Sequence, residues 1–151
     1  MSTKERSQIA ALPVINGPDG RLRVMIVTSR DTGRWIIPKG WTMKGKSDRQ
    51  AAAQEAFEEA GVEGEISRKS IGSFRYDKLL DCGDVTPCKV DVYRLDVTRW
   101  VNNWPEGDER RRLWCLPDEA AERLQEPELK DIVRSLQESK RDTGKTEEAS
   151  V

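Results

Sequence analysis

Histidine is absent from the 151 residues, and that absence excludes more chemistry than any single residue supplies. There is no Ser-His-Asp or Cys-His catalysis to look for, and no His-ligated zinc. Cysteine is scarce: Cys82, Cys88 and Cys115 form no CxxC pair, and any disulfide scheme leaves one over. They read as reduced thiols in a reducing compartment. No imidazole is available to lower a thiol pKa, so a catalytic cysteine is not expected. No apolar run approaches the ~18 residues that span a bilayer. The start "MSTKERSQ" lacks the apolar core of a signal peptide. A cytoplasmic protein without a membrane partner is the expectation. An excess of one charge sign is missing too: 26 Lys+Arg against 27 Asp+Glu leave a net charge of -1. Nothing pulls the whole chain toward nucleic acid, which is not expected as a partner. Carboxylates, lysines, arginines and the metal they can hold remain for chemistry.

The organisation is that of an α+β protein, expected as one domain over residues 1–140 with a polar, disordered tail over 141–151. "SQIAALPVI" and "RLRVMIVTS" read as strands separated by the turn "NGPDG", and "RWII" as a short strand ended by Pro38. Lys39 to Lys46 reads as a glycine-bearing loop. "SDRQ" is a capping box with Ser47 as N-cap and Gln50 three residues on, so a helix is expected from Asp48 to Ala60, closed by Gly61 in the left-handed conformation. "EISRKSIGSFRYD" and "CKVDVYRLDVT" read as strands, the second with a bulge near Tyr93. "RRRLWCL" reads as a further strand. "PDEAAERL" and "PELKDIVRSLQESK" read as helices with proline near their starts.

The helix raises an electrostatic problem. Glu55, Glu58 and Glu59 lie within one turn, and like charges at that spacing repel. At 100° per residue, Ala53, Ala56, Phe57 and Ala60 form the face expected to pack on the sheet. The three glutamates then point away, with Ala51 and Ala52 one turn earlier on their side. A solvated acidic face is the ordinary meaning of such a cluster. Here a loop with Lys39, Lys44 and Lys46 precedes the helix, and strands flank it on both sides. Carboxylates converging from one turn suit a hard divalent cation, Mg²⁺ or Mn²⁺.

Gly40 to Val62, "GWTMKGKSDRQAAAQEAFEEAGV", resembles the Nudix box, Gly-x5-Glu-x7-Arg-Glu-aliphatic-x-Glu-Glu-x-Gly-aliphatic. Gly40, Glu55, Ala56, Glu58, Glu59, Gly61 and Val62 fall in register. Lys46 replaces the first glutamate of the pattern and Gln54 its arginine. "SRDTGRWIIPKG" and "RRRLWCLPDEAAERL" look like the diphosphoinositol polyphosphate phosphohydrolase branch, which also acts on diadenosine polyphosphates. The resemblance runs from about Gln8 to Leu136. It implies the Nudix fold, a mixed sheet between helices with the box as loop-helix-loop. It further implies Mg²⁺ or Mn²⁺ on Glu58 and Glu59, Glu55 as a ligand or the base for the attacking water, and the main-chain carbonyl of Lys39 as a further ligand. Gln54 stands where the family's arginine orients Glu55, and offers only a neutral hydrogen bond.

The implied function is metal-dependent hydrolysis of a phosphoanhydride in a phosphorylated small molecule. Arg21, Arg23, Lys39, Gly40, Lys44, Lys78 and Lys89 are the candidates to surround its phosphates, and Trp41 the candidate to stack on an adenine. A preference that rises with phosphate number is expected if the sheet gathers these cations. For the run "DERRRLW", a solvated hairpin weighs at least as much as a phosphate site. A Nudix module that binds a polyphosphate without cleaving it, and an enzyme acting on RNA 5′ ends, are the other readings.

Overall fold

The computed structural model describes residues 4–142. Eight strands, β1 (Arg6–Asn16), β2 (Leu22–Thr28), β3 (Trp35–Ile36), β4 (Lys39–Trp41), β5 (Val62–Ile66), β6 (Gly72–Leu79), β7 (Val85–Trp100) and β8 (Arg112–Cys115), form one mixed sheet. The helices are α1 (Asp48–Ala60), α2 (Pro117–Arg123) and α3 (Pro127–Asp142). The segment 143–151, most of the expected disordered tail, lies outside the described residues, and α3 runs into the start of that tail.

Long β-branched runs make β1 and β7 the centre of the sheet. They pair in parallel from Arg6↔Cys88 to Val14↔Asp96, while the other pairings are antiparallel. Both faces of β1 are covered, so both of its alternating sets of side chains are apolar from Ile9 to Val14. Ala10, Leu12, Val14, Val24 and Ile26 pack with Phe74 under α2 and α3. Ile9, Ala11, Met25 and Val27 pack with Leu95 under α1. Each fully buried Leu, Ile or Phe contributes about 1.5–3 kcal/mol of hydrophobic stabilisation.

Along β7 the expected bulge at Tyr93 is not there. Thr86, Cys88, Val90 and Val92 are buried on the α3 side, and Leu95 and Val97 on the α1 side. The pleat is unbroken through Tyr93, as the continuous pairing with β1 requires; what changes is the layer that covers the strand. The bulge sits at Thr98, skipped between Glu63↔Arg99 and Gly64↔Val97. Two other expectations are corrected. "EISRKSIGSFRYD" divides into β5 and β6, which pair with successive stretches of β7. Lys39–Trp41 is a short strand, β4, held to β1 by Ile9↔Gly40 and its neighbours. β1 thus pairs with β2 at its C-terminal end and with β4 near its start, and β2 departs to join β3 and β8. The site forms beside that divergence.

Candidate active site

α1 has the bounds its caps dictate. The Ser47 hydroxyl accepts from Gln50 N at 3.3 Å, and the Gln50 side chain accepts from Ser47 N at 3.0 Å. Gly61, at φ 69°, donates to Phe57 O. The buried face differs from the expected one: Ala51, Ala52, Ala56 and Ala60 pack inward, with Ala53 and Phe57 only half-buried. Small side chains let the helix lie close to the sheet, and the larger Phe57 is left at the flank. This rotation carries Glu59 inward, to 5% exposure. The glutamates therefore do not share an outward face.

A buried carboxylate needs partners, and each of Glu59's comes from a different element. Lys39 N on β4 donates to Oε1 at 3.3 Å. Arg110, itself buried just before β8, brings Nη2 to 3.8 Å from Oε2. The same guanidinium reaches Glu106 Oε1 at 2.7 Å and Thr28 O at 2.9 Å, so its fork joins three segments. Glu55 is hydrogen-bonded to Glu59. Burial, then the shared bond and the charge of Glu59, lift the Glu55 carboxyl to about 8. The Glu59 carboxyl is raised as well, because burial outweighs the opposing charge of Arg110, so the pair together holds a proton more readily than free acids do.

Gly40 is required here by contact. A Cβ on it would meet the Glu55 carboxyl group, so Glu55 keeps this place against β4 only with glycine at this position. Glu58 is turned elsewhere: Gln54 Nε2 donates to its Oε2 at 2.9 Å. Gln54, expected to act on Glu55, orients Glu58. Among the described residues no group of three or more His, Cys, Asp or Glu side chains is already gathered as a metal-holding cluster.

The C-terminal end of α1 is clasped by residues 104–112. The last carbonyls of a helix lack intrahelical donors, yet here each has one. Gly61 N serves Phe57 O, Glu106 N serves Glu58 O, the Trp104 indole serves Glu59 O at 2.9 Å, and Arg112 serves Ala60 O at 2.7 Å. Arg112 also stacks on Trp104 at 4.0 Å. The clasp fixes the turn that carries all three glutamates.

Beside the pair opens a cavity of about 290 Å³. Glu55, Glu59 and Glu106 line it, with Arg30, Lys78 and Arg110 as cations. Lys39, Gly40 and Trp41 of β4 also line it. Lys39 holds its ammonium 5.0 Å from the Tyr76 ring, and burial lowers its pKa. The Trp41 ring carries Arg6 at 4.1 Å and Lys78 at 5.9 Å, so cations already occupy it.

Four candidate cations do not reach this cavity. Arg21 and Arg23 flank the β1–β2 turn, where Arg23 binds Asp19 at 3.1 Å; at the ~3.3 Å rise of a strand, Arg23 is roughly 17 Å from Thr28. Lys44 is exposed in the loop before α1. Lys89 lies one residue from Cys88, the partner of Tyr76, so alternation turns it to the opposite face. In the sequence Arg110 stands out only as part of the run "DERRRLW", and Glu106 does not stand out. Their signal was the dense acid-base alternation of "EGDERRRLW", which also fits a solvated turn.

A buried carboxylate, a half-buried one hydrogen-bonded to it and a third held by an amide nearby are hard oxygen donors of the kind a dication takes. The residues present therefore fit a divalent ion.

A family model of the NUDIX domain matches residues 6–136. Nudix hydrolase 16, mitochondrial, of Arabidopsis thaliana is 32% identical over 78% of this chain and 67% of its own. Diphosphoinositol polyphosphate phosphohydrolase 3-beta of Bos taurus is 31% identical over 68% of this chain and 59% of its own. Among solved structures, C. elegans Ap4A hydrolase superimposes with TM-score 0.61 at 16% identity, covering 88% of this chain and 96% of that one; at that identity the likeness concerns the fold. The chain belongs to the NUDIX family and has its fold. It is a hydrolase of the Nudix pyrophosphatase class, and the family generally uses divalent metal ions. No described helix is long and apolar enough to cross a membrane.

Proposed function

We propose that this chain acts as one catalytic domain, a Mg²⁺- or Mn²⁺-dependent pyrophosphohydrolase that cleaves a phosphoanhydride bond in a polyphosphorylated small molecule of the diadenosine polyphosphate or diphosphoinositol polyphosphate type. The observation that carries this reading is the hydrogen-bonded Glu55–Glu59 pair opening onto a cavity rimmed by Lys39, Lys78, Arg30 and Arg110. Glu55, Glu58 and Glu59 would hold the cation, with the Lys39 carbonyl beside them. When bound, a dication neutralises charge on phosphate oxygens and makes water a better nucleophile. Lys39, Lys78 and Arg30 would fix the polyphosphate by charge-assisted hydrogen bonds, which supplies positioning. Glu55, once ionised, can accept a proton from the attacking water, with the Arg110 guanidinium beside Glu59. The bridging P–O bond then breaks and a phosphate leaves.

The test is a panel of diadenosine polyphosphates, an inositol pyrophosphate, ADP-ribose and nucleoside triphosphates with Mg²⁺ or Mn²⁺, scored by released phosphate-containing products. Saturable binding without cleavage of any of them would instead support a polyphosphate-binding module.

A further inference from the structure

Glu58 and Glu59 sit in the last turn of α1, the part of a helix that frays most readily because its carbonyls have no donors within the helix. Here two of the donors come from outside and meet on one ring. Trp104 Nε1 donates to Glu59 O at 2.9 Å, and the Arg112 guanidinium, 4.0 Å from the same ring, donates to Ala60 O at 2.7 Å. The pair lies directly on the helix cap: a Cβ on Gly61 would come within 3.0 Å of Trp104 and 2.8 Å of Arg112 Nη1. On its other side the ring is backed by its own turn, where a Cβ on Gly107 would stand 3.2 Å from it.

This tryptophan does not serve as core. It is half-buried and belongs to neither of the two apolar layers among the described residues. Nor do Trp104 and Arg112 line the cavity beside the glutamates. What the indole adds over any other ring of its size is an N–H, and that N–H is spent on Glu59. Glu59 is thereby held at both ends, its carboxylate by Lys39 N at 3.3 Å and its carbonyl by the indole. An unpaired carbonyl there would leave the last turn free to loosen, and Glu58 would move with it.

We propose that Trp104 is a positioning residue for the hydrolysis: it holds the turn that presents Glu58 and Glu59, and so sets cation affinity and turnover without touching substrate. This rests on the hydrolase reading above, with those two glutamates as cation ligands.

The test compares the wild type with Trp104→Phe, which keeps a ring for Arg112 and removes the N–H, and with Val133→Ala, which opens the distant α3 core. In the metal-free proteins, hydrogen exchange at the Ala60 and Gly61 amides should be about tenfold faster in Trp104→Phe than in the wild type. Mn²⁺ binding, followed by electron paramagnetic resonance, should weaken by about fivefold or more in that variant. For the best-cleaved compound of the panel above, its kcat should fall by about tenfold while KM stays within about twofold. Val133→Ala should melt at a lower temperature yet keep the wild-type exchange at those amides, Mn²⁺ affinity and kcat. Should Trp104→Phe fail to fold, Arg112→Met, which removes the stacked partner and the donor to Ala60, carries the same expectations. Wild-type Mn²⁺ affinity and kcat in the clasp variant, or equal losses in Val133→Ala, overturn the positioning role and leave the hydrolase standing. A wild type that neither binds Mn²⁺ nor cleaves any compound overturns the hydrolase reading, and the positioning role falls with it.

Discussion

Replacing Arg110 by alanine would strand Glu59, a carboxylate at 5% exposure, without its guanidinium and would also release Glu106 and Thr28. Breaking a buried pair from one side costs about 3–5 kcal/mol. Arg110→Ala should therefore lower the denaturant midpoint strongly, and Arg110→Lys should recover only part, since an ammonium cannot reach three acceptors as a fork does. Glu55 gives a pH signature in metal-free buffer. Its carboxyl titrates near 4.5 when unfolded and at about 8 when folded, so between those values the folded state holds the extra proton. Its contribution to stability is present below the lower value and is lost as pH rises toward 8. Melting temperatures should fall from pH 5 to pH 8, and Glu55→Gln should flatten that slope; an equal slope in the variant would show the proton is held elsewhere. Glu58 stands outside the buried pair, held by Gln54. Glu58→Gln should cut turnover by about a hundredfold or more while leaving the melting curve nearly unchanged.

Between β4 and α1 the contact tolerates almost no extra atoms. Gly40→Ala adds a methyl where the Glu55 carboxyl lies, and only the flexible end of that side chain can give way. The expected result is a folded protein with kcat/KM reduced by about tenfold or more, because a small misplacement at the reacting centre is costly. Full activity in the alanine variant would mean that Glu55 works from another position. Elements with local signals were legible in the sequence, and those decided by pairing were not. α1 was readable to the residue because its capping box and Gly61 are local chemistry. Its buried face was not, since a helix of alanines and glutamates has little amphipathic contrast and the sheet chose which small side chains to accept. Lys39-Gly40-Trp41 has no strand pattern of its own and becomes a strand, β4, only against β1. The split between β5 and β6 has no local signal, because residues 67–71 hold neither proline nor glycine. Of the site, the carboxylates and β4 were visible through the box spacing. Arg110 and the clasp were not, because their partners lie some fifty residues away in sequence.

At the scale of the whole molecule, β7 joins the two layers. It is covered by α3 up to Val92 and by α1 from Leu95, while its pairing with β1 runs through the changeover without a break. The chain is therefore unequally tolerant of changes in its length. Removing Tyr93 would invert every later side chain, turning Leu95 and Val97 out of the α1 layer and shifting the pairing with β1. Removing Thr98 would only delete the residue that β5 already skips, at the cost of the Trp100–Trp114 edge contact at 6.0 Å. The first deletion should give an unfolded or aggregating product and the second a soluble one with a cooperative melt. Insertions and deletions in this strand should accordingly be admitted at the Thr98 end and purged from the middle, so the bulge marks where the fold can change length without changing shape.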